Sequence, residues 1–365
     1  MANEKQSKAP KKEPLKLTRE FVKSLPKAEL HCHLDGSMRV ETILDIAKKE
    51  NVKLPTTDHK KLKNILEPGI NCKSLEEYLR PFDITAKVLQ TEEALIRATY
   101  ELAEDAAEEN IRYLEIRFAP LWHVKKGLSL NRVVEAVIAG KRKAEKKFNI
   151  IIGIIICGIR HTTPADSLRV AQLAVAYKNR GVVGYDLAGA EKDFPAKDHK
   201  EAFYLIINNN INTTVHAGEA YGTESIDQAI HYINSNRIGH GTRLREDGDL
   251  MSYVNDHRIP LEMCISSNLQ TKAVEKLEDH PVKFYFDLGL RVTLNTDNRL
   301  ISGVDLTDEY MLALEELDFT ADDLKYLILN GFKSAFLPFS EKISLIKEVT
   351  KEMEDKGLIY KKNYI

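Results

Sequence analysis

Eight short apolar segments, separated by stretches of helical periodicity, constrain this chain more than any other feature. They fall at 28–34, 113–118, 150–159, 182–187, 212–217, 237–239, 260–265 and 291–295. Most lack the in-out alternation of a half-exposed strand, and IIIGIIICGI (150–159) is apolar on both faces. Strands of that kind belong to parallel sheets covered on both sides. Helix signals lie between them. Ser74 and Glu77 form a capping box ahead of LEEYLRPF. Thr163, Pro164 and Asp166 supply a cap, a first-turn proline and an acid ahead of SLRVAQLAVAYKNR. Leu95, Ala98, Leu102 and Ala106 share one face of a helix ending near Asn110, and Thr320 with Asp323 opens another. Eightfold strand–helix alternation predicts an α/β fold, the (β/α)8 TIM barrel. Neither GxGxxG nor GxxxxGKS/T occurs, which disfavours a nucleotide-phosphate sheet. No linker rich in Pro, Gly or Ser divides the chain. Residues 17–365 therefore read as one domain behind a basic, disordered tail at 1–16. The span 35–112 is too long for one crossover helix and predicts a helical insertion, at about 50–110, over the barrel mouth.

In such a barrel the chemistry sits at the C-terminal ends of the strands. The first segment contains PKAELHCHLDG. Side chains at i, i+2 and i+4 of a strand share a face, so His31, His33 and Asp35 point one way and Cys32 and Leu34 the other. Later segments end in YDLAG with Gly189, VHAGE with His216 and Glu219, IGHG with His240, CISSN with Ser266, Ser267 and Asn268, and NTDN with Asp297 and Asn298. Singly, each has a plain structural reading: a satisfied core histidine, a capping aspartate, a turn glycine. One barrel mouth collects all of them, and jointly they describe a metal site. His31, His33, His216 and Asp297 supply nitrogen and oxygen ligands suited to Zn²⁺. His240 is then left to hold a water molecule, and Glu219 to give and take a proton. Barrel hydrolases with two metals often bridge them by a modified lysine at the end of strand four. YDLAG has none, so one Zn²⁺ per chain is expected.

Charge and cysteine usage narrow the partners. A formal net charge of -2 gives no reason to expect nucleic acid or an anionic membrane. The longest apolar run, 150–159, is too short to cross a bilayer. Four scattered cysteines without a CxxC pair read as reduced thiols of a cytoplasmic protein.

PKAELHCHLDGS, VVGYDLAGAE, TVHAGEA, RIGHG and LNTDN follow one another in an order and spacing that resembles the adenosine deaminase family, from about Leu25 to about Lys347. The resemblance implies a zinc-bearing barrel that hydrolyses the 6-amino group of a purine nucleoside in purine metabolism. It implies zinc on His31, His33, His216 and Asp297, a proton from Glu219 to purine N1, and His240 positioning the attacking hydroxide at C6. It further implies that Gly189 donates its backbone N–H to purine N3, that Asp35 meets the ribose 5′-hydroxyl, and that residue 298 meets N7. Many family members carry aspartate at that last position, where this chain has Asn298. The HxE and PCxxC pattern of cytidine-type and polynucleotide deaminases is absent. Two other readings remain at this stage. One is a deaminase for another 6-aminopurine, such as aminofutalosine or adenine. The other is a catalytically dead nucleoside-binding barrel. Oligomeric state is not legible in the sequence.

Overall fold

Eight parallel strands pair in chain order: β1 Lys27–His33, β2 Ile111–Phe118, β3 Ile151–Ile159, β4 Val182–Ala188, β5 Asn212–Ala217, β6 Arg237–His240, β7 Leu261–Met263 and β8 Val292–Leu294. This computed structural model describes residues 16–358, so the expected tail lies outside the described residues up to residue 15. Every segment singled out in the sequence overlaps one of the strands. β3 is buried throughout except at Ile151, because helices cover one face and the barrel interior the other.

The ring closes between β8 and β1 through few contacts. Asn295 Oδ1 accepts from Leu30 N at 2.8 Å. Just beyond it, His33 N donates to the Asp297 carbonyl at 2.8 Å and Asp297 N to the His31 carbonyl at 3.0 Å. Closure therefore sets Asp297 between the two histidines of HCH.

The helix starts at Thr163 and Thr320 form as the sequence indicates, each threonine accepting from the backbone N–H three residues on. Two expectations need correction. LEEYLRPF is not one helix. It breaks at Arg80–Pro81 into Leu75–Leu79 and Phe82–Val88, because proline cannot continue the hydrogen-bond ladder. Its capping box is half formed: Ser74 Oγ accepts from Glu77 N, but the Glu77 carboxylate turns to Lys73 N. CISSN is also not a strand end. β7 stops at Met263, and Ile265–Gln270 is a helix that carries Ser266, Ser267 and Asn268.

Five α-helices connect β1 to β2. The last, Glu92–Glu108, packs beside Leu130–Glu145 in the outer ring. The pair Leu75–Leu79 and Phe82–Val88 lies over the mouth. Cys72, Leu75, Tyr78 and Phe82 form a small apolar cluster with Ile301, separate from the main core. No helix among the described residues is long and apolar enough to cross a membrane.

Candidate active site

One cavity at the C-terminal ends of the strands is lined by His33, Asp35, Gly189, His216, Glu219, His240, Asp297 and Asn298. His31 lies fully buried beneath it. The nine residues singled out in the sequence are thus together. The reason given for Asp35 was incomplete. β1 ends at His33, and a turn rather than strand alternation brings Asp35 to the cavity. Burial pushes its carboxyl up to about 7, against hydrogen bonds from the backbone at Asp35 and Gly36. Cys32 does turn away, its thiol 3.4 Å from Ser37 Oγ. Gly189 has φ +94°, a left-handed conformation that favours glycine, and His161 lies against it. His240 and Asp297 adopt φ of 62° and 61°. Non-glycine residues rarely take that conformation, and when they do they cluster at functional sites.

Buried carboxylates fix the imidazoles. His31 Nδ1 donates to Glu262 Oε2 at 2.9 Å and His216 Nδ1 to Asp186 Oδ1 at 3.2 Å. In its neutral form, with the proton on Nδ1, each ring turns the Nε2 lone pair inward. His31 Nε2 has no hydrogen-bond partner and lies 3.3 Å from Asp297 Oδ1. His33 Nε2 lies 3.2 Å from His216 Nε2 and 3.4 Å from Asp297 Oδ1. Burial holds His33 well below the ordinary imidazole range and His216 below it, so both are neutral, whereas Asp297 and Glu262 beside His31 raise that ring against its burial. Lone pairs and a carboxylate oxygen converging in this way call for a cation. Two ligands on one Zn²⁺, each at about 2.0–2.1 Å, stand about 3.3 Å apart at the tetrahedral angle. The donor set and its spacing therefore fit the ion.

The atoms of His31, His216, His240 and Asp297 that face one another lie within 4.8 Å. A hydrogen-bond relay distinguishes His240 from the others. Val282 N donates to His280 Nδ1 at 3.3 Å, so that ring carries its proton on Nε2. Burial and the charge of Arg245 push His280 down to about 3, so it is neutral. Its Nε2 donates to Asn268 Oδ1 at 3.2 Å, and Asn268 Nδ2 donates to His240 Nδ1 at 3.0 Å. His240 is left with a proton on Nε2, where neutral His31 and His216 have a lone pair. That Nε2 is otherwise unpartnered, 3.6 Å from Glu219 Oε2.

Glu219 stands on a loop that one carboxylate grips. Glu191 accepts from the backbone N–H groups of Gly218, Glu219, Ala220 and Tyr221 at 2.6–3.0 Å. Burial, reinforced by the charges of Asp297 and Glu191, pushes the Glu219 carboxyl well above its usual range.

Sequence reasoning missed Asp186, Glu262 and Arg117, all fully buried. The signal was present. A charged residue inside a strand buried on both faces needs a partner, and these three partner one another: Arg117 donates to Asp186 at 3.1 Å and to Glu262 at 2.8 Å.

Comparison with known proteins follows the same lines. The family model described as Adenosine deaminase matches residues 26–352. The chain belongs to the adenosine deaminase family. An adenosine deaminase of Clostridium acetobutylicum is 44% identical over 331 residues, covering 91% of this chain and 99% of that protein. Among solved structures, an adenine deaminase of Arthrobacter aurescens superposes with a TM-score of 0.85 at 28% identity, covering 90% of this chain and 99% of that one. Arabidopsis ADAL complexed with IMP superposes at 0.83 with 26% identity, covering 92% and 99%. The family is metal-dependent, and the histidine and aspartate group found here suits a metal.

Proposed function

We propose that this protein hydrolyses adenosine, and deoxyadenosine, to inosine and ammonia in purine salvage, with one Zn²⁺ held by His31, His33, His216 and Asp297. The observation that carries the reading is the opposed protonation of the imidazoles. His31 and His216 turn lone pairs inward, as a metal requires, whereas His240 turns an N–H inward. When bound, Zn²⁺ supplies a Lewis acid that makes water nucleophilic at neutral pH.

The residues do the rest. His240 Nε2–H holds the attacking oxygen by a donated hydrogen bond, with the ring fixed by Asn268. Asp297 accepts a proton from the same water. Glu219 retains a proton because it is buried beside two carboxylates, and delivers it to purine N1 as oxygen adds at C6. The proton held by Asp297 then passes to the departing nitrogen, the C6 hydroxyl proton returns to Glu219 as the carbonyl forms, and ammonia leaves. Gly189 N–H meets purine N3, Asp35 the ribose 5′-hydroxyl, and Asn298 purine N7.

A nucleoside suits the cavity better than a nucleotide. Among the described residues no lysine or arginine lines it, and Asp35 does. A 5′-phosphate there would meet a buried carboxyl group and no cation. The main core cluster runs from Val22 to Leu358, which supports reading 17–365 as one deaminase domain. All four cysteines are buried free thiols, which supports a reducing cytoplasm. The test is ammonia release by purified protein of measured metal content, on adenosine, deoxyadenosine, adenine, aminofutalosine and AMP. Adenosine and deoxyadenosine should lead. Faster turnover of adenine, aminofutalosine or AMP would overturn the substrate assignment, and full activity without metal would overturn the mechanism.

A further inference from the structure

Tyr78 belongs to the helix Leu75–Leu79 over the mouth, is 1% exposed, and has its ring on the cavity wall. Its hydroxyl leaves that helix and reaches the loop after β8. Asn298 Nδ2 donates to Tyr78 Oη at 2.9 Å, and Tyr78 Oη lies 2.7 Å from Ser302 Oγ. A phenol has one proton. Its oxygen accepts from Asn298, which leaves that proton free to go to Ser302. Ser302 is held in turn, its backbone N–H donating to the Asn298 carbonyl at 2.8 Å and its carbonyl accepting from Gln270 Nε2 at 2.9 Å. On the opposite flank Asn298 Oδ1 is buried without a partner. It is packed so close to Gly36 that a Cβ there would lie 1.9 Å away.

An asparagine amide presents two donor hydrogens at one end and an acceptor at the other, and rotation by a half-turn exchanges them. We infer that the Tyr78 hydroxyl is a positioning group for purine recognition: by accepting from Nδ2 it fixes the orientation of the Asn298 amide, so that an N–H rather than an oxygen is offered to the base. The direction of the whole chain is set by Ser302, which takes the only proton that Tyr78 could otherwise give to Asn298. The helix over the mouth thereby does more than cover the base. It selects a purine with an acceptor at position 7.

This inference rests on the reading that Asn298 meets N7, and the experiment separates the two. The probes are inosine and 7-deaza-inosine, which replaces N7 by C–H, with equilibrium binding measured by calorimetry so that reactivity at C6 does not enter. The parent protein should prefer inosine. Tyr78→Phe frees the amide to rotate. Ser302→Ala, which lies outside the cavity wall, leaves the phenol to donate to Asn298 and so favours the rotated amide. Both should weaken inosine by roughly two- to tenfold, the worth of one hydrogen bond, while leaving 7-deaza-inosine nearly unchanged. A purely structural role for either residue would weaken both ligands alike. A parent that binds the two equally would remove Asn298 from N7 and the inference with it. A parent that discriminates, with an undiminished preference in both variants, would overturn the inference alone. Ser302→Ala keeps the question decidable should Tyr78→Phe fail to fold.

Discussion

A carboxyl group buried beside Asp297 and Glu191 gains little by ionising, and Glu219 is such a group. Its raised pKa keeps the acid form through the ordinary carboxylate range, and rising pH removes the proton only above it. Activity should therefore fall on the alkaline side as Glu219 ionises. Glu219→Gln keeps the shape but has no proton to give. It should cost roughly 10²- to 10⁴-fold in kcat, flatten that alkaline limb and leave bound metal unchanged. Near-parental turnover by this variant would remove Glu219 as the proton donor. Asn298 presents the complementary case. Its amide donates without taking up a proton, whereas an ionised aspartate cannot donate at all. Asn298→Asp should keep its metal yet lose activity more steeply as pH rises, because only the acid form can serve N7. Superimposable pH profiles of the two proteins would count against a donor role at 298.

At the scale of elements, the loop after β5 shows how a side chain remote in sequence can aim the proposed proton donor. Four successive backbone N–H groups around Glu219 converge on Glu191, and an anion suits such a nest. Glu191→Gln replaces one acceptor oxygen by a donor, so N–H would face N–H. A loss of roughly tenfold in kcat is expected, with metal content intact and KM little changed, since hydrogen bonds to a charged group are worth about 1.5–3 kcal/mol. An unchanged kcat would show that the loop holds its shape without the grip. Nothing in GAE marks Glu191 for this task, because the four donors are backbone groups and carry no side-chain signature. The strands were legible for the opposite reason: a run apolar on both faces has few other places to go. HCH, HAGE, IGHG and NTDN were legible because polar residues interrupt such runs at the strand ends. The break at Arg80–Pro81 was readable from the proline, which the capping signal ahead of LEEYLRPF outweighed. The end of β1 before Asp35 depends on how the ring closes on β8, which no local pattern encodes.

Across the whole molecule, the barrel interior beneath the histidines is a web of charge rather than an apolar plug. Arg117 on β2 reaches Asp186 on β4, Glu262 on β7 and the Leu30 carbonyl on β1. Arg237 on β6 pairs with Glu262 and with Glu115 on β2. Glu262 and Asp186 are also the carboxylates that fix His31 and His216, so one guanidinium orients two expected metal ligands through their partners. Metal affinity and the integrity of the ring should then be coupled through Arg117. A metal that binds only the folded chain stabilises it by about 4 kcal/mol at a thousandfold excess over Kd. Arg117→Lys retains the charge but has no planar fork to span both carboxylates. Loosening groups that orient ligands costs about 10- to 100-fold in metal affinity, which removes about 1.4–2.7 kcal/mol of that stabilisation. The variant should be less stable even when stripped of metal, since one buried carboxylate loses its partner. The difference in Tm between loaded and stripped protein should also be smaller than in the parent. Calorimetric melts of both proteins, loaded and chelated at matched metal concentration, decide the matter. If the stripped variant is destabilised but the loaded-to-stripped difference equals the parent's, Arg117 supports the barrel alone and does not act on the metal.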